Sequence, residues 1–169
     1  MERLSIMLQK GERIFVAVTR FNDLTYSENV AWRKKHKWQG CIYGSGYPIS
    51  PNIPKNSLIF VIEMNNEQNK IMGIGAIRNR VDRRQEICVY RSDTCHNRYI
   101  YQSGRRVDRD DIRDRLTLFW LERLVFKGAG HYKRGRGISR IPWKRFGGKQ
   151  HKKFIYSFVN GLFEVDNTS

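Results

Sequence analysis

From Arg123 to Phe163 the chain has no acidic residue. Arg123, Lys127, Lys133, Arg134, Arg136, Arg140, Lys144, Arg145, Lys149, Lys152 and Lys153 all fall in that span. No carboxylate within the segment can neutralise them, and crowded like charges destabilise a compact state. Stability is therefore excluded as the reason for the crowding. A polyanionic partner remains, and nucleic acid is the commonest.

Cysteine is scarce too. Cys41, Cys88 and Cys95 are an odd number without framework spacing, which excludes a disulfide scaffold. Reduced thiols fit a cytoplasmic, nuclear or virion-interior setting and not secretion. Long apolar runs are absent. Nothing approaches the roughly 20 residues of a membrane span. The opening MERLSIMLQKGER carries Glu2, Arg3 and Lys10 and lacks the apolar core of a signal peptide. Membrane insertion is not expected.

Motifs for cofactor chemistry are missing as well. GAGHYKRGRG is not a phosphate-binding G-x-x-x-x-G-K-[ST] loop and follows a helical pattern, not a strand; GIGAI lacks the third glycine of a dinucleotide fingerprint. Cys88, Cys95 and His96, with Cys41 far upstream, have zinc chemistry but no C-x-x-C pair. Free thiols packed as small hydrophobes are the better reading, so no metal or cofactor is expected. Asp23, Glu28, Glu63 and Glu86 are scattered. The four histidines show no pairing with a nucleophile. No catalytic residue is assigned.

What is present suits a folded chain. Of 169 residues, 40% are hydrophobic and 28% charged, which is not a disordered composition. The formal net charge is +16 and the pI about 10.2, in the range of a nucleic-acid footprint. The length suits one domain over 1–169.

RIFVAVTR, from Arg13 to Arg20, reads as a buried strand. Thr25 or Ser27 can cap a helix running from Ser27 to about Lys37, with Val30 and Trp32 inward. WQGCIYGSGYPISPNIPKNS reads as a long loop. SLIFVIEM and KIMGIGAIRN, joined by a polar turn, read as a hairpin, with Gly73 and Gly75 marking a bulge or a close backbone approach. EICVY and NRYIY read as short strands. Asp108 or Asp110 opens an amphipathic helix over 108–127 whose apolar face is Ile112, Leu116, Phe119, Trp120 and Leu124, ended by Gly128. A basic Gly-rich segment follows over 128–153, and KFIYSFV closes as strand or helix.

The phosphate contacts are assigned to Lys133, Arg134, Arg136, Arg140, Lys144, Arg145, Lys149, Lys152 and Lys153. Arg33, Lys34, Lys35 and Lys37 extend that surface if the two clusters share a face. Tyr132, Trp143 and Phe146 either stack bases or anchor the loop to the core. Trp32 and Trp38 either form a platform for an extruded base or pack inside, with Trp38 the stronger platform.

The order strand, helix, Trp-Gly loop and hairpin, carried by IPKNSLIFVIEM and KIMGIGAIRN, resembles the PUA-like superfamily over 13–101. That group includes the PUA, ASCH, EVE and YTH domains. The phrase KGAGHYKRGRGISRIP is similar to proteins of large DNA viruses of protists. The resemblance implies a small curved barrel and RNA or DNA binding, with a base pocket beside the helix. Here the pocket residues would be Arg20, Asn22, Trp38 and Tyr43. No set of three cage aromatics is evident, which argues against methyl-base recognition.

The expectation is an α+β protein, a curved mixed or antiparallel sheet or barrel with flanking helices, that binds nucleic acid without catalysis. The alternative is a structural, virion-associated protein bridging acidic protein surfaces or a packaged genome. A metal-dependent nuclease or base-modifying enzyme stands behind both.

Overall fold

A computed structural model describes residues 6–8, 12–83, 86–145, 148–163 and 165–167. Nine strands and three α-helices lie among them, in an α+β arrangement. The main sheet has five strands: β2 (Ile14–Phe21), β4 (Leu58–Asn65), β5 (Lys70–Arg78), β7 (Arg106–Asp108) and β8 (Ser139–Arg140). Their order is β7-β5-β4-β2-β8. Within this sheet only the neighbours β2 and β4 pair in parallel. The sheet is mostly antiparallel and does not close, so the barrel alternative is corrected to an open sheet. Two small pairs accompany it: β1 (Ile6–Leu8) with β9 (Val165–Asn167), and β3 (Cys41–Ser45) with β6 (Tyr99–Ser103).

The central strand explains the unbroken apolar run SLIFVIEM. Every residue of β4 is buried, as expected of a strand covered on both faces. Successive side chains take opposite sides. Val16, Val18, Phe60 and Ile62 join one core with Leu118, Leu121 and Val125 of α2 (Arg115–Phe126) and Ile155 and Val159 of α3 (Lys149–Phe163). Phe15, Ala17, Ile59 and Val61 join a second core with Tyr43 and Tyr101 of the β3–β6 pair. Tyr26 and Trp32 of α1 (Asp23–Lys35) pack against that second core.

The hairpin stands as expected, and its glycines have a cause. The register shifts after Glu63, which pairs with Gly73, while Met64 pairs with Ile71. A Cβ on Gly75 would lie 2.1 Å from the Tyr43 hydroxyl, and one on Gly73 would lie 2.5 Å from Arg106 Nη2. Missing side chains on β5 thus admit Tyr43 from β3 and Arg106 from β7. Both reach Glu63: the Tyr43 hydroxyl donates to Oε1 at 2.8 Å, and Arg106 donates from Nε and Nη2 at 2.8 Å each. Burial pushes the neighbouring Cys41 thiol to about 12, which keeps it protonated.

Several elements differ from expectation. Helix α1 begins at Asp23, because Asn22 is the cap: its side chain accepts from Thr25 N–H at 2.7 Å, and Thr25 Oγ1 accepts from Asn22 N–H. Its buried residue is Asn29, which donates to the Ile42 carbonyl at 2.7 Å and to the Tyr90 hydroxyl at 3.1 Å. Strand β3 lies inside the supposed long loop. Glu86–Tyr90 is not a strand; Val89 and Tyr90 N–H donate to the Asn97 side chain instead.

The helix expected over 108–127 starts at Arg115, capped by Asp114. Asp108 caps only a 3-10 turn over Arg109–Asp111. The buried face of α2 is Leu118, Leu121, Val125 and Phe126. Ile112 is buried ahead of the helix, while Leu116 and Phe119 are exposed. Gly128, at φ +83, follows the Lys127 cap as expected. The 128–153 segment is not one loop. It supplies edge strand β8, a 3-10 turn over Trp143–Arg145 and the start of α3.

Carboxylates fasten these elements, and their titration predicts an acid limit. Asn65 and Gln68 donate to Asp23 and hold it below the usual carboxylate range. For Asp108 burial acts upward, but Arg106 outweighs it and the net shift is down. For Glu28 burial also acts upward, and the Ser92 and Arg91 donors outweigh it. Each folded value lies below the unfolded one, so the stabilisation is complete above the unfolded range and is lost as pH falls through the folded value. Thermal melts should be flat from about pH 7 to 5 and fall below about pH 4. Asp108→Asn should flatten part of that fall; a melting temperature that drops between pH 7 and 5 would contradict it.

Candidate nucleic-acid interface

The basic stretch forms an arch over the end of β2. Arg20 Nε donates to the Tyr132 carbonyl at 2.5 Å, and Nη1 donates to Ser139 Oγ at 3.0 Å. The Asn66 amide donates to the Lys133 carbonyl at 2.9 Å. Gly135 and Gly137 have φ of +140 and +56. Their backbone lies against Arg20 and Ser45 respectively, where a Cβ would come within 2.7 and 2.3 Å of a side-chain atom. The glycines of KRGRG therefore let the arch lie flat on the sheet end.

Beneath the arch is a cleft of about 520 Å³, within the rough 300–1,000 Å³ range of ligand sites. The end of β2 and the first turn of α1 form its floor, through Arg20, Asn22 and Thr25. Gly44 of β3, with Gly46 and Tyr47 just after the strand, forms one wall. Asp93, Cys95 and His96, from a 3-10 turn, form another, and Lys133 to Gly137 roof it. Tyr47 is 53% exposed. Arg136 lies over its ring at 5.4 Å and donates to its hydroxyl at 2.8 Å.

The charge balance is one-sided. Arg20, Lys133 and Arg136 face Asp93, which already accepts from Cys95 N–H and lies 3.7 Å from His96. Arg20 is half-buried, and burial lowers its guanidinium pKa. Among the described residues no carboxylate lies within ion-pair distance of it. A half-buried cation without a counter-ion is costly unless an anion joins it.

No family model matches the chain, nor does any curated protein or solved structure.

The expected site residues divide. Arg20 and Asn22 line the cleft; Trp38 and Tyr43 do not. Trp38 is half-buried and its indole N–H donates to the Cys41 carbonyl at 3.0 Å. Tyr43 is 1% exposed and committed to Glu63. Tyr132 and Trp143 are buried and anchor the stretch, so they offer no stacking face; Phe146 lies outside the described residues.

Lys133 and Arg136 reach the cleft, with Arg134 exposed between them. Arg140 covers the Phe15 ring at 5.0 Å on the sheet edge. Lys144 is exposed beyond that edge, and the Arg145 side chain lies outside the described set. Lys149, Lys152 and Lys153 belong to α3, which packs in the first core. Arg33 turns back to donate to the Asn29 side chain, which in turn meets the cleft residue Tyr90. Lys34, Lys35 and Lys37 stand exposed at the far end of α1, roughly 15 Å along the helix from Thr25 of the cleft at 1.5 Å per residue. The two basic clusters do not form one short clamp.

Three of the four scattered acids have structural partners: Asp23 and Glu28 fasten α1, and Glu63 holds Arg106. Among the described residues no three His, Cys, Asp or Glu gather as a metal-holding group. No helix among them is long and apolar enough to cross a membrane. Tyr47, Asn66 and His96 are cleft residues that the sequence reading missed. The only local signal was the run GSGYP, whose glycines and proline put a tyrosine on a turn.

Proposed function

We propose that the protein binds RNA or DNA, taking the backbone of an unpaired segment at the cleft under the arch. The half-buried Arg20 without a counter-ion carries this reading: a phosphate supplies the anion that no described carboxylate provides. Lys133 and Arg136 neutralise flanking charge, and Arg134 extends the track outward. Tyr47 offers an exposed ring for one base, and Arg136 stiffens it. The cleft suits a single nucleotide with its phosphate, not a double helix.

A helix following a long strand, with a cleft at its first turn, supports the PUA-like reading of a base pocket. The open sheet departs from the barrel which that reading implies. Such a binder works where nucleic acid is present and thiols stay reduced: cytoplasm, nucleus or the interior of a virus particle.

The test is binding of labelled single- and double-stranded RNA and DNA by the full chain at two salt concentrations. Single strands should bind tighter. Tyr47→Ala should weaken single-strand binding about tenfold, since stacking is worth roughly 1–3 kcal/mol per base. It should leave the salt dependence unchanged, because it removes no charge. Equal binding of all four nucleic acids, with Tyr47→Ala silent, would reduce the site to unspecific attraction.

A further inference from the structure

The face of the sheet opposite α1 carries a different surface. On α2, Leu116 is 84% exposed and Phe119 58%; on α3, Phe154 is 45% exposed. They do not stand singly. Trp120, one turn beyond Leu116, meets the Phe154 ring edge-on at 5.0 Å and the His151 ring at 5.1 Å. An apolar strip therefore runs from the first turn of α2 across to α3. Isolated exposed apolar residues are ordinary, but a contiguous strip with a polar rim marks an interaction surface.

The rim is basic. Arg115, Arg123 and Lys127 are exposed along α2, and Lys149, Lys152 and Lys153 along the start of α3. Asp110, 3.8 Å from Arg115, and Asp111 stand exposed ahead of α2; the acids within and capping the helix are engaged. Glu122, the one acid within α2, receives Arg109 and the Ile71 N–H. Asp114 caps α2 and accepts from Thr117. Helix α3 has no acid at all.

We propose that this strip is the docking site for an acidic amphipathic helix of another protein. Leucine-like side chains would seat beside Leu116, Phe119 and Phe154, while carboxylates meet the surrounding Arg and Lys. Charge selects this occupant over a second copy of the chain, because two molecules of formal charge +16 would bring basic rims together. Shape selects it over nucleic acid. The most exposed apolar side chain is aliphatic, and the rings of Trp120 and Phe154 are turned edge-on to each other. The cleft belongs to the α1 side of the sheet and the strip to the α2–α3 side. Both could be filled together, which would make the chain a bridge between a polyanion and a protein. The proposal does not rest on the cleft reading.

The test uses the full chain and a labelled helical peptide about five turns long, with leucine along one face and glutamate elsewhere. Anisotropy should show saturable binding. A peptide of the same composition, with its leucines spread round the helix, should bind at least about tenfold more weakly. Leu116→Asp with Phe119→Asp should cause a comparable loss, and Phe154→Ser alone a smaller one. All three positions are exposed, so circular dichroism melts should stay close to wild type. Equal binding of both peptides, or indifference to the substitutions, would overturn the proposal. So would self-association of the chain abolished by Leu116→Asp, which would make the strip a self-interface. Loss of single-stranded RNA binding in the same variants would make it a nucleic-acid surface and overturn the proposal equally.

Discussion

Arg106→Ala should cost about 3–5 kcal/mol of folding stability, the scale of breaking a buried ion pair from one side. The Arg106 side chain is 4% exposed and that of Glu63 is 3% exposed. Around them converge the Tyr43 hydroxyl, Asp108 and the Met72 carbonyl. Removing the guanidinium leaves a carboxylate in the second core with only a tyrosine donor. It also frees Asp108, which closes the edge of β7. The exposed Arg115–Asp110 contact, at 3.8 Å, is the internal contrast; breaking it should cost less than about 1 kcal/mol.

A paired replacement separates charge from packing. Glu63→Leu with Arg106→Met should be less damaging than Arg106→Ala, because no uncompensated charge remains. Urea denaturation of the singles and the double gives the coupling directly. If Arg106→Ala costs no more than the surface pair, the network is not what joins β3, β4, β5 and β7.

The parts legible in the sequence were those written by neighbours in the chain. The hairpin of β4 and β5 was readable because two β-rich runs flank one polar turn. Gly73 and Gly75 were readable as a close approach because glycine inside a strand has few other uses. What approaches them was not readable: Tyr43 and Arg106 come from strands about 30 residues away on either side.

Helix α2 shows the limit of periodicity. Leu116, Leu118, Phe119, Trp120, Leu121, Leu124, Val125 and Phe126 surround the helix, so spacing alone could justify more than one inward face. The choice fell to Leu118, Leu121 and Val125 only through packing on the sheet, which left Leu116 and Phe119 outside. Helix α1 shows the reverse case. Its buried residue is polar, and Asn29 docks by hydrogen bonds to Ile42 and Tyr90 that no hydropathy pattern encodes. The cleft was half legible. The charge of the arch was plain, but its closure depends on Arg20 reaching Tyr132, 112 positions away. Trp38 and Tyr43 looked available until their polar ends proved to be spoken for.

Reversing Lys133, Arg134 and Arg136 together to glutamate should lower affinity for every nucleic acid tested by about a hundredfold or more near 0.1 M salt. Each lost phosphate contact removes about 0.7 from the slope of log affinity against log salt for single strands and about 0.9 for a duplex. The triple variant should therefore flatten that slope by roughly two to three units. Its fold should survive, because the arch is tied by the backbone carbonyls of Tyr132 and Lys133; among the described residues, Arg136 alone of the three side chains is hydrogen-bonded, to Tyr47. The decisive control is Lys34, Lys35 and Lys37 reversed to glutamate at the far end of α1. The same change in net charge is made there, roughly 15 Å along the helix from the cleft. A local site predicts a large loss from the first triple and a small one from the second. Equal losses would mean that the formal charge of +16 attracts polyanions as a whole and the arch has no special part. A flattened slope confined to the arch triple, beside an unchanged slope in Tyr47→Ala, would separate phosphate contact from base stacking within one cleft.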